Sequence, residues 1–464
     1  MRIRVLALAA GMVLALAVLS AQNAPRQVSL VLAGGTVVTV DAAFRVIGNG
    51  ALAIDGTDIV AVDTAENIGR QFRGRETIDT SGQIVLPGLI NTHTHAAMVL
   101  FRGLADDLAL SEWLNKYIFP AEAKLVSPEF VRSGTRLAAL EMIQSGTTTF
   151  TDMYYFEEEV AQATKAAGLR GVLGQTIIQF PVADAKTPAD ALVRAEAFIN
   201  AFKDDSLITP AVAPHAIYTL DGPTLKAARD LSRRHNVPTL IHLAETHDEI
   251  RSAQERFKSS PVAYLDSLGF LGPGVLGAHG VWVSDADIAL LKSRNVGISH
   301  NPESNMKLAS GTAPVPAYIR ADVAIGLGTD GAASNNDLDM FEAMRVAALL
   351  HKHESVDPRA LSARTALEMA TIRGARALGM DKRLGSLEPR KHADVITVST
   401  SGARQTPMYD AVSHLVYVIR GDDVQNTIVN GRVIMRDRKV LTLDEKAVLA
   451  DGRSWIDKVR AAVK

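Results

Sequence analysis

The chain has 464 residues, 47% of them hydrophobic, a formal net charge of −2 and no cysteine. That length holds a large core and more than one structural unit, and the near-neutral balance gives no footing for nucleic acid as a partner. Without cysteine there are no disulfides, no thiolate nucleophile and no Cys-ligated zinc, which removes base deaminases whose zinc sits on one His and two Cys.

Arg2 and Arg4 lead into the apolar stretch 5–19, and "SAQNAPRQ" follows it. A basic head, an apolar core of about 7 to 15 residues and a small-residue exit describe a secretory signal peptide, here residues 1–24. The expectation is an exported, periplasmic protein with no membrane attachment after cleavage. The stretch is short of the roughly 20 residues that a spanning helix needs, and an uncleaved N-terminal anchor is the alternative.

"VSLVLAGGTVVTV", "GNGALAIDGTDIVAV" and "RETIDTSGQIVLPG" are β-type runs broken by Gly and Asp-Gly turns. Such runs return in "HADVITVST", "LVYVIRG" and "VQNTIVNGRVIMRDRKVL", where Asn-Gly between apolar runs predicts a hairpin. The two ends are expected to form one small β-sandwich, from residues 25–86 and 389–464, the latter including a C-terminal helix. Between them, residues 87–388 alternate strand-like and helix-like segments, as βα units do.

Eight candidate strands follow in order: "IVLPGLINTHTH", "TTTFTDM", "RGVLGQTII", "ITPAVAPHA", "PTLIHLAET", "GVLGAHG", "VGISHNPES" and "VAIGLGTDG". With amphipathic segments such as "GPTLKAARDLSRRHN" between them, the fold class is α/β, a (β/α)₈ barrel with an appended β-domain. His93, His95, His215, His242, Glu245, His279, His300 and Asp330 all fall at the C-terminal ends of these runs. Barrel active sites lie on that face.

His93 and His95 are two apart, so in a strand both rings point the same way. Burying two imidazoles is costly unless they are paired or ligated. "IHLAET" adds His242 and, three residues on, Glu245; "AIGLGTDG" adds Asp330 after an apolar run. Alone, Glu245 reads as a surface acid at a helix start and Asp330 as an Asp-Gly turn. Together, three His and one Asp suit one divalent ion, zinc or alternatively iron, with His279 beside it and Glu245 placed to move protons. No lysine ends the third or fourth run, so a bridging modified lysine has no source and a single ion is expected. His351 and His353, in "LLHKHES" at a helix end, read as solvated, and His300 as structural.

"PGLINTHTHAAMVLFRGLADDLALSEWL", "IHLAET", "SHNPESNMKLASGTAPV" and "GLGTDGAASNNDLDMFEAMRVAALL" resemble motifs of the amidohydrolase superfamily. Within it they are most similar to the methylthioadenosine/S-adenosylhomocysteine deaminases and their triazine-hydrolase relatives, over about residues 28 to 440. The resemblance implies a distorted barrel flanked by a β-sandwich, with His93, His95, His242 and Asp330 as metal ligands. It implies Glu245 as proton shuttle, with His279 and Asp330 orienting and deprotonating the attacking water. Glu122 would bind ribose hydroxyls, His215 would position the purine, and Trp113 and Ser334 would line the pocket. The implied activity is hydrolytic release of ammonia from an amino-substituted N-heterocycle, most simply an adenosine-type nucleoside. The alternatives are removal of chloride or an alkylamine from a triazine, or deamination of a guanine- or cytosine-type base.

Retention of Glu245 favours deamination, because displacing chloride needs less help from an acid. Two departures bear on the substrate. The loop after the third run, "QFPVADAKTPADALVRAE", carries only Lys186 and Arg194 as cations, where S-adenosylhomocysteine deaminases hold a carboxylate with arginines. Ile217, in "HAIYT", stands where the family pattern has proline. The expected partner is a small N-heterocyclic molecule; homo-oligomerisation is left open by the sequence.

Overall fold

The computed structural model describes residues 25–463, so the signal-peptide reading lies outside the described residues. Among those described, no helix is long and apolar enough to cross a membrane. The N-terminal part supplies β1 (Arg26–Val38), β2 (Val46–Asp55), β3 (Asp58–Thr64), β4 (Phe72–Asp79) and β5 (Gln83–Pro87). Eight strands follow: β6 (Leu89–Thr94), β7 (Thr147–Tyr154), β8 (Arg170–Ile177), β9 (Ile208–Pro214), β10 (Thr239–Leu243), β11 (Val275–His279), β12 (Gly297–His300) and β13 (Ala324–Leu327). The chain closes with β14 (Val395–Ser399), β15 (Val424–Val429), β16 (Arg432–Arg436) and β17 (Lys439–Val440).

The two chain ends meet in one nine-stranded mixed sheet, ordered β17-β16-β15-β14-β5-β1-β2-β3 with β4 beside β1. The seam is the antiparallel pairing of β14 with β5, Val395 opposite Pro87. Leu32, Leu52 and Ile54 from one end share a core with Val395 and Ile428 from the other. The sheet curls, bringing Gly431 of the Asn430–Gly431 turn against the carbonyl of Gly56 in the β2–β3 turn. Both Asn430 and Gly431 have positive φ, 52° and 76°, as the hairpin expected from "NG" requires.

β6 to β13 run in sequence order around a parallel barrel, and every one of the eight candidate runs supplies one of its strands. Between β13 and β6 the barrel closes through side chains: Thr92 Oγ1 donates to the Leu327 carbonyl at 2.8 Å, and Thr329 N donates to Asn91 Oδ1 at 3.1 Å. The run at 84–95 is two strands in two different sheets. Gly88 is the break, since a Cβ there would lie 2.2 Å from the Thr148 side chain. Only glycine lets the chain cross from one sheet to the other at that spot.

The helices between strands carry ordinary start and stop signals. Helix Gly222–His235 is capped by the Asp221 carboxylate and stopped by Asn236 in the left-handed region at φ 52°. Helix Pro128–Gln144 starts at Ser127 and turns Phe130, Val131, Met142 and Ile143 inward. Trp455, between the two C-terminal helices, stands edge-on to Phe130 at 5.2 Å, so those helices cover a barrel helix. We propose unit boundaries at 25–86, 87–388 and 389–464, with the last helices docked on the barrel.

At the N-terminal end of β8 the barrel is tied to the curled sheet by Arg170 and Asp394. The guanidinium meets both carboxylate oxygens, at 3.1 and 3.2 Å, and also donates to the Ser206 carbonyl at 3.0 Å. Asp394 accepts in addition from Asn430 N at 2.7 Å.

Candidate metal centre and active site

Four histidines converge at the C-terminal mouth of the barrel. His93 lies in β6, His95 just beyond it, His242 in β10 and His279 at the end of β11. Ring centroids of His93 stand 4.9 Å from His95, 5.1 Å from His242 and 5.4 Å from His279. Asp330 arrives from beyond β13, its Oδ1 3.4 Å from the Nε2 atoms of both His93 and His95. Gly328 makes that approach feasible: a Cβ there would collide with Asn301 Oδ1 at 2.5 Å and His93 N at 2.9 Å. Asp330 N then donates to the His93 carbonyl at 2.9 Å, fixing the β13 end against β6.

Three residues at the mouth, two of which turn side chains into it, adopt a conformation that is uncommon outside glycine. His279, Asp330 and Ala244 have φ of 76°, 64° and 50°. Strain of this kind persists where surrounding contacts over-determine it, and it clusters at functional sites.

The donor set fits a divalent ion. His95 Nδ1 donates to the Met153 carbonyl at 2.7 Å and His242 Nδ1 to the His215 carbonyl at 3.0 Å. A carbonyl only accepts, so each Nδ1 carries the proton and each Nε2 offers its lone pair inward. His93 Nε2 is buried and has no hydrogen-bond partner. Burial drives His93 down to about 4, so it is neutral at pH 7, as a ligand must be. Asp330 is held well below the usual carboxylate range: burial opposes ionisation, but the surrounding imidazoles of His93, His279 and His95 outweigh it. Potential ligand atoms of His93, His95 and Asp330 lie within 4.8 Å of one another, as do those of His93, His242 and His279.

Glu245 follows β10 with only 3% of its surface exposed, which rules out the solvated helix-start reading. Its Oε2 faces His279 Nε2 at 3.8 Å, and that nitrogen lies 4.0 Å from Asp330 Oδ2. Burial raises the pKa of Glu245, and the Asp330 charge adds to the rise against the lowering from His279. For His279 burial works downward, but Glu245 and Asp330 win and its pKa ends above the ordinary value. A carboxyl that resists ionisation beside an imidazole that welcomes a proton is an acid–base pair in which protons can be exchanged.

Glu122 sits on helix Phe119–Leu125 and lines the same pocket. Its Oε1 accepts from the Tyr154 hydroxyl at 2.7 Å. His215, Trp113 and Ser334 line the pocket too, so every residue to which the resemblance gives a site role reaches one cavity or its metal cluster, whereas His300 reaches neither. His215 Nδ1 pairs with Thr219 Oγ1 at 3.0 Å; burial brings its pKa down to about 3 and keeps it neutral.

Residues 84–434 match the family model described as "Amidohydrolase family". The chain belongs to the amidohydrolase family. It is 48% identical over 420 residues to the 5-methylthioadenosine/S-adenosylhomocysteine deaminase of Syntrophobacter fumaroxidans, covering 90% of this chain and 96% of the relative. The 5′-deoxyadenosine deaminase of Methanosarcina mazei is 43% identical, with 94% of this chain and 99% of the relative covered. Among solved structures, an adenosine deaminase from Xanthomonas campestris with bound zinc superposes with TM-score 0.93 at 37% identity, over 94% of this chain and all of that one. With this membership goes metal-dependent hydrolysis of carbon–nitrogen bonds other than peptide bonds.

Several further groups of this amidohydrolase site show their roles only in the fold. Asn305 Oδ1 accepts from His279 Nδ1 at 2.8 Å, which aims His279 Nε2 inward. Ser304 Oγ donates to Asp330 Oδ2 at 2.7 Å and reaches Ser334 Oγ at 3.2 Å. Glu249 accepts from the backbone N–H groups of Ala244 and Glu245 at 3.1 and 2.9 Å, pinning the turn that presents Glu245. Thr246 in turn caps helix His247–Phe257 by accepting from Glu249 N at 3.2 Å. His351 contradicts the solvated reading. It is 1% exposed and its Nε2 lies 3.0 Å from His300 Nε2, because its face of helix Met340–Ser355 packs inward beside Met344 and Ala347.

Proposed function

We propose that this amidohydrolase removes the exocyclic amino group of an adenosine-type nucleoside by hydrolysis and releases it as ammonia. One divalent ion, zinc, would be held by His93, His95, His242 and Asp330. The zinc-bearing adenosine deaminase supports that choice of ion, and three imidazoles with one carboxylate suit it. When bound, the ion supplies a Lewis acid that makes water a nucleophile near neutral pH.

The protein's own groups do the rest. Asp330 and His279 orient the attacking water, and the raised basicity of His279 lets it take the proton. Glu245, whose hold on a proton burial strengthens, gives a proton to the ring nitrogen next to the attacked carbon, so negative charge does not accumulate on the ring. That proton then needs to be replaced before the amine leaves, and the pair of Glu245 and His279, 3.8 Å apart, can pass it on. His215 stays neutral against the purine, and Glu122 takes the ribose hydroxyls.

The observation that carries this reading is the buried Glu122 carboxylate in the same pocket as Glu245 and the histidine cluster. A carboxylate held there by Tyr154 can accept from the adjacent pair of hydroxyls that a riboside presents. The experiment is ammonia release by the purified mature chain, with metal content measured alongside, across adenosine, methylthioadenosine, S-adenosylhomocysteine, guanine, cytosine and aminotriazines. Adenosine-type substrates should dominate; release from none of them at full metal occupancy would contradict the proposal. Export is proposed on the strength of residues 1–24 alone, and N-terminal sequencing of the protein from a periplasmic extract tests it.

A further inference from the structure

The catalytic pocket opens into two outer chambers. The larger, of about 560 Å³, shares Leu110, Leu114, Phe119, Tyr218 and Leu308 with the pocket. The smaller, of about 220 Å³, begins at Glu122 and Tyr155, both also pocket residues. Between the chambers stand Phe119 and Phe180, which line both and meet edge-on with centroids 5.4 Å apart. Trp282 forms part of the outer wall, its indole fixed by donation to the Ser310 carbonyl at 2.6 Å.

No lysine or arginine lines the pocket or either chamber. The arginines nearest in sequence are already paired, Arg251 with a residue of the chamber wall. Arg194 is paired with Glu158 at 2.7 Å and Asp184 at 3.3 Å, and Arg251 with Asp248 at 2.9 Å. Lys186 is exposed and lines neither chamber. Of the acidic side chains that line the larger chamber, Asp248 is paired with Arg251 and Glu249 accepts from two backbone N–H groups, and the chamber offers no unpaired cation.

We propose that these chambers select the 5′ substituent of the nucleoside, accepting an apolar, uncharged or cationic group and rejecting an anionic one. The proposal rests on the adenosine-type reading and narrows it. A substrate whose ribose is held at Glu122 must send its 5′ end outward past Phe119. A thioether or methyl group gains contact with Phe119, Phe180 or Trp282 there. A phosphate or carboxylate loses water there without finding an unpaired cation. Phe119, Phe180 and Trp282 are therefore specificity-determining, and their effect is confined to what hangs on the 5′ carbon.

The test compares kcat/KM, at fixed pH with zinc-loaded enzyme, for adenosine, methylthioadenosine, the 3-aminopropylthio analogue, S-adenosylhomocysteine and adenosine 5′-phosphate. The expected order places methylthioadenosine and the aminopropyl analogue at least about tenfold above S-adenosylhomocysteine, with the 5′-phosphate lowest. Turnover of adenosine with S-adenosylhomocysteine or the 5′-phosphate equal to methylthioadenosine overturns this proposal alone. Turnover of none of the five overturns the nucleoside reading, and this proposal with it. Two variants add independent arms. Phe180→Ala should lower methylthioadenosine turnover several-fold more than that of adenosine. One of Asn115→Arg, in the larger chamber, and Val182→Arg, in the smaller, should raise the ratio of S-adenosylhomocysteine to methylthioadenosine turnover at least about fivefold. If neither arginine moves that ratio, the absence of a cation is not what sets the preference.

Discussion

At the N-terminal end of β8, Arg170 and Asp394 are 6% exposed; at the opposite mouth His93 and Asp330 are 2% and 5% exposed. Equal burial serves opposite ends. Each guanidinium nitrogen of Arg170 has an acceptor, and the Asp394 carboxylate accepts from Arg170 and from Asn430 N. At the mouth, by contrast, His93 Nε2 has no partner, and His95 Nε2 and His242 Nε2 face each other at 3.3 Å with both Nδ1 protons already committed. Left-handed backbone at His279, Asp330 and Ala244 adds conformational cost on the same side. A closed ion pair is finished structure, whereas lone pairs aimed at one another suit a cation. That difference locates function from burial and hydrogen bonding alone.

Substitutions at the two ends should break in different ways. His93→Ala or His242→Ala should abolish ion binding and lower turnover on the order of 10³-fold or more, since the Lewis acid supplies several kcal/mol of transition-state stabilisation. Metal analysis and ammonia release on the same preparation check this, and added zinc should restore wild type after chelation but neither variant. Thermal unfolding supplies a second readout, because an ion that binds only the folded chain raises its midpoint. Arg170→Ala should act on stability, costing about 3–5 kcal/mol by leaving Asp394 buried and unpaired, while kcat on the remaining folded enzyme is unchanged. The double change Arg170→Met, Asp394→Leu should recover most of that loss in denaturant titrations.

Glu122 gives a smaller effect. Glu122→Gln should lower kcat/KM for ribosides by about 10- to 100-fold through loss of charged hydrogen bonds, and should leave metal content unchanged. The smallest effect is a pH dependence. Burial pushes Glu122 up to about 7, against the lowering by the Tyr154 hydroxyl. Below that value the group is mostly a neutral acid; above it, a carboxylate able to accept from both ribose hydroxyls. KM for adenosine should therefore fall several-fold as pH rises from 6 to 8, and the trend should vanish in Glu122→Gln.

Much of this layout was legible before any coordinates. His93 and His95 could be paired because strand geometry has a period of two, and Asp330 stood out because an apolar run ends just before it. The positive-φ hairpin at Asn430–Gly431 followed from its two residues. What stayed hidden depends on partners that local sequence does not specify. Gly88 looked like one glycine inside a long strand, and only the Thr148 side chain across from it makes it the crossing between sheets. Asn305 and Ser304 sit in a polar loop like many others until they are seen holding His279 and Asp330. His351 was misread because the helix-end argument concerns dipoles, whereas its neighbour His300, from another strand, decides its burial.

We propose a division of labour in which the histidines and Asp330 hold the ion while Glu245 moves the proton that turns hydrolysis into deamination. The direct test is Glu245→Gln, assayed for zinc content and for ammonia release from adenosine. Zinc should remain at the wild-type level while turnover falls by about 10²- to 10⁴-fold. Loss of the zinc, or turnover at the wild-type rate, would contradict the account.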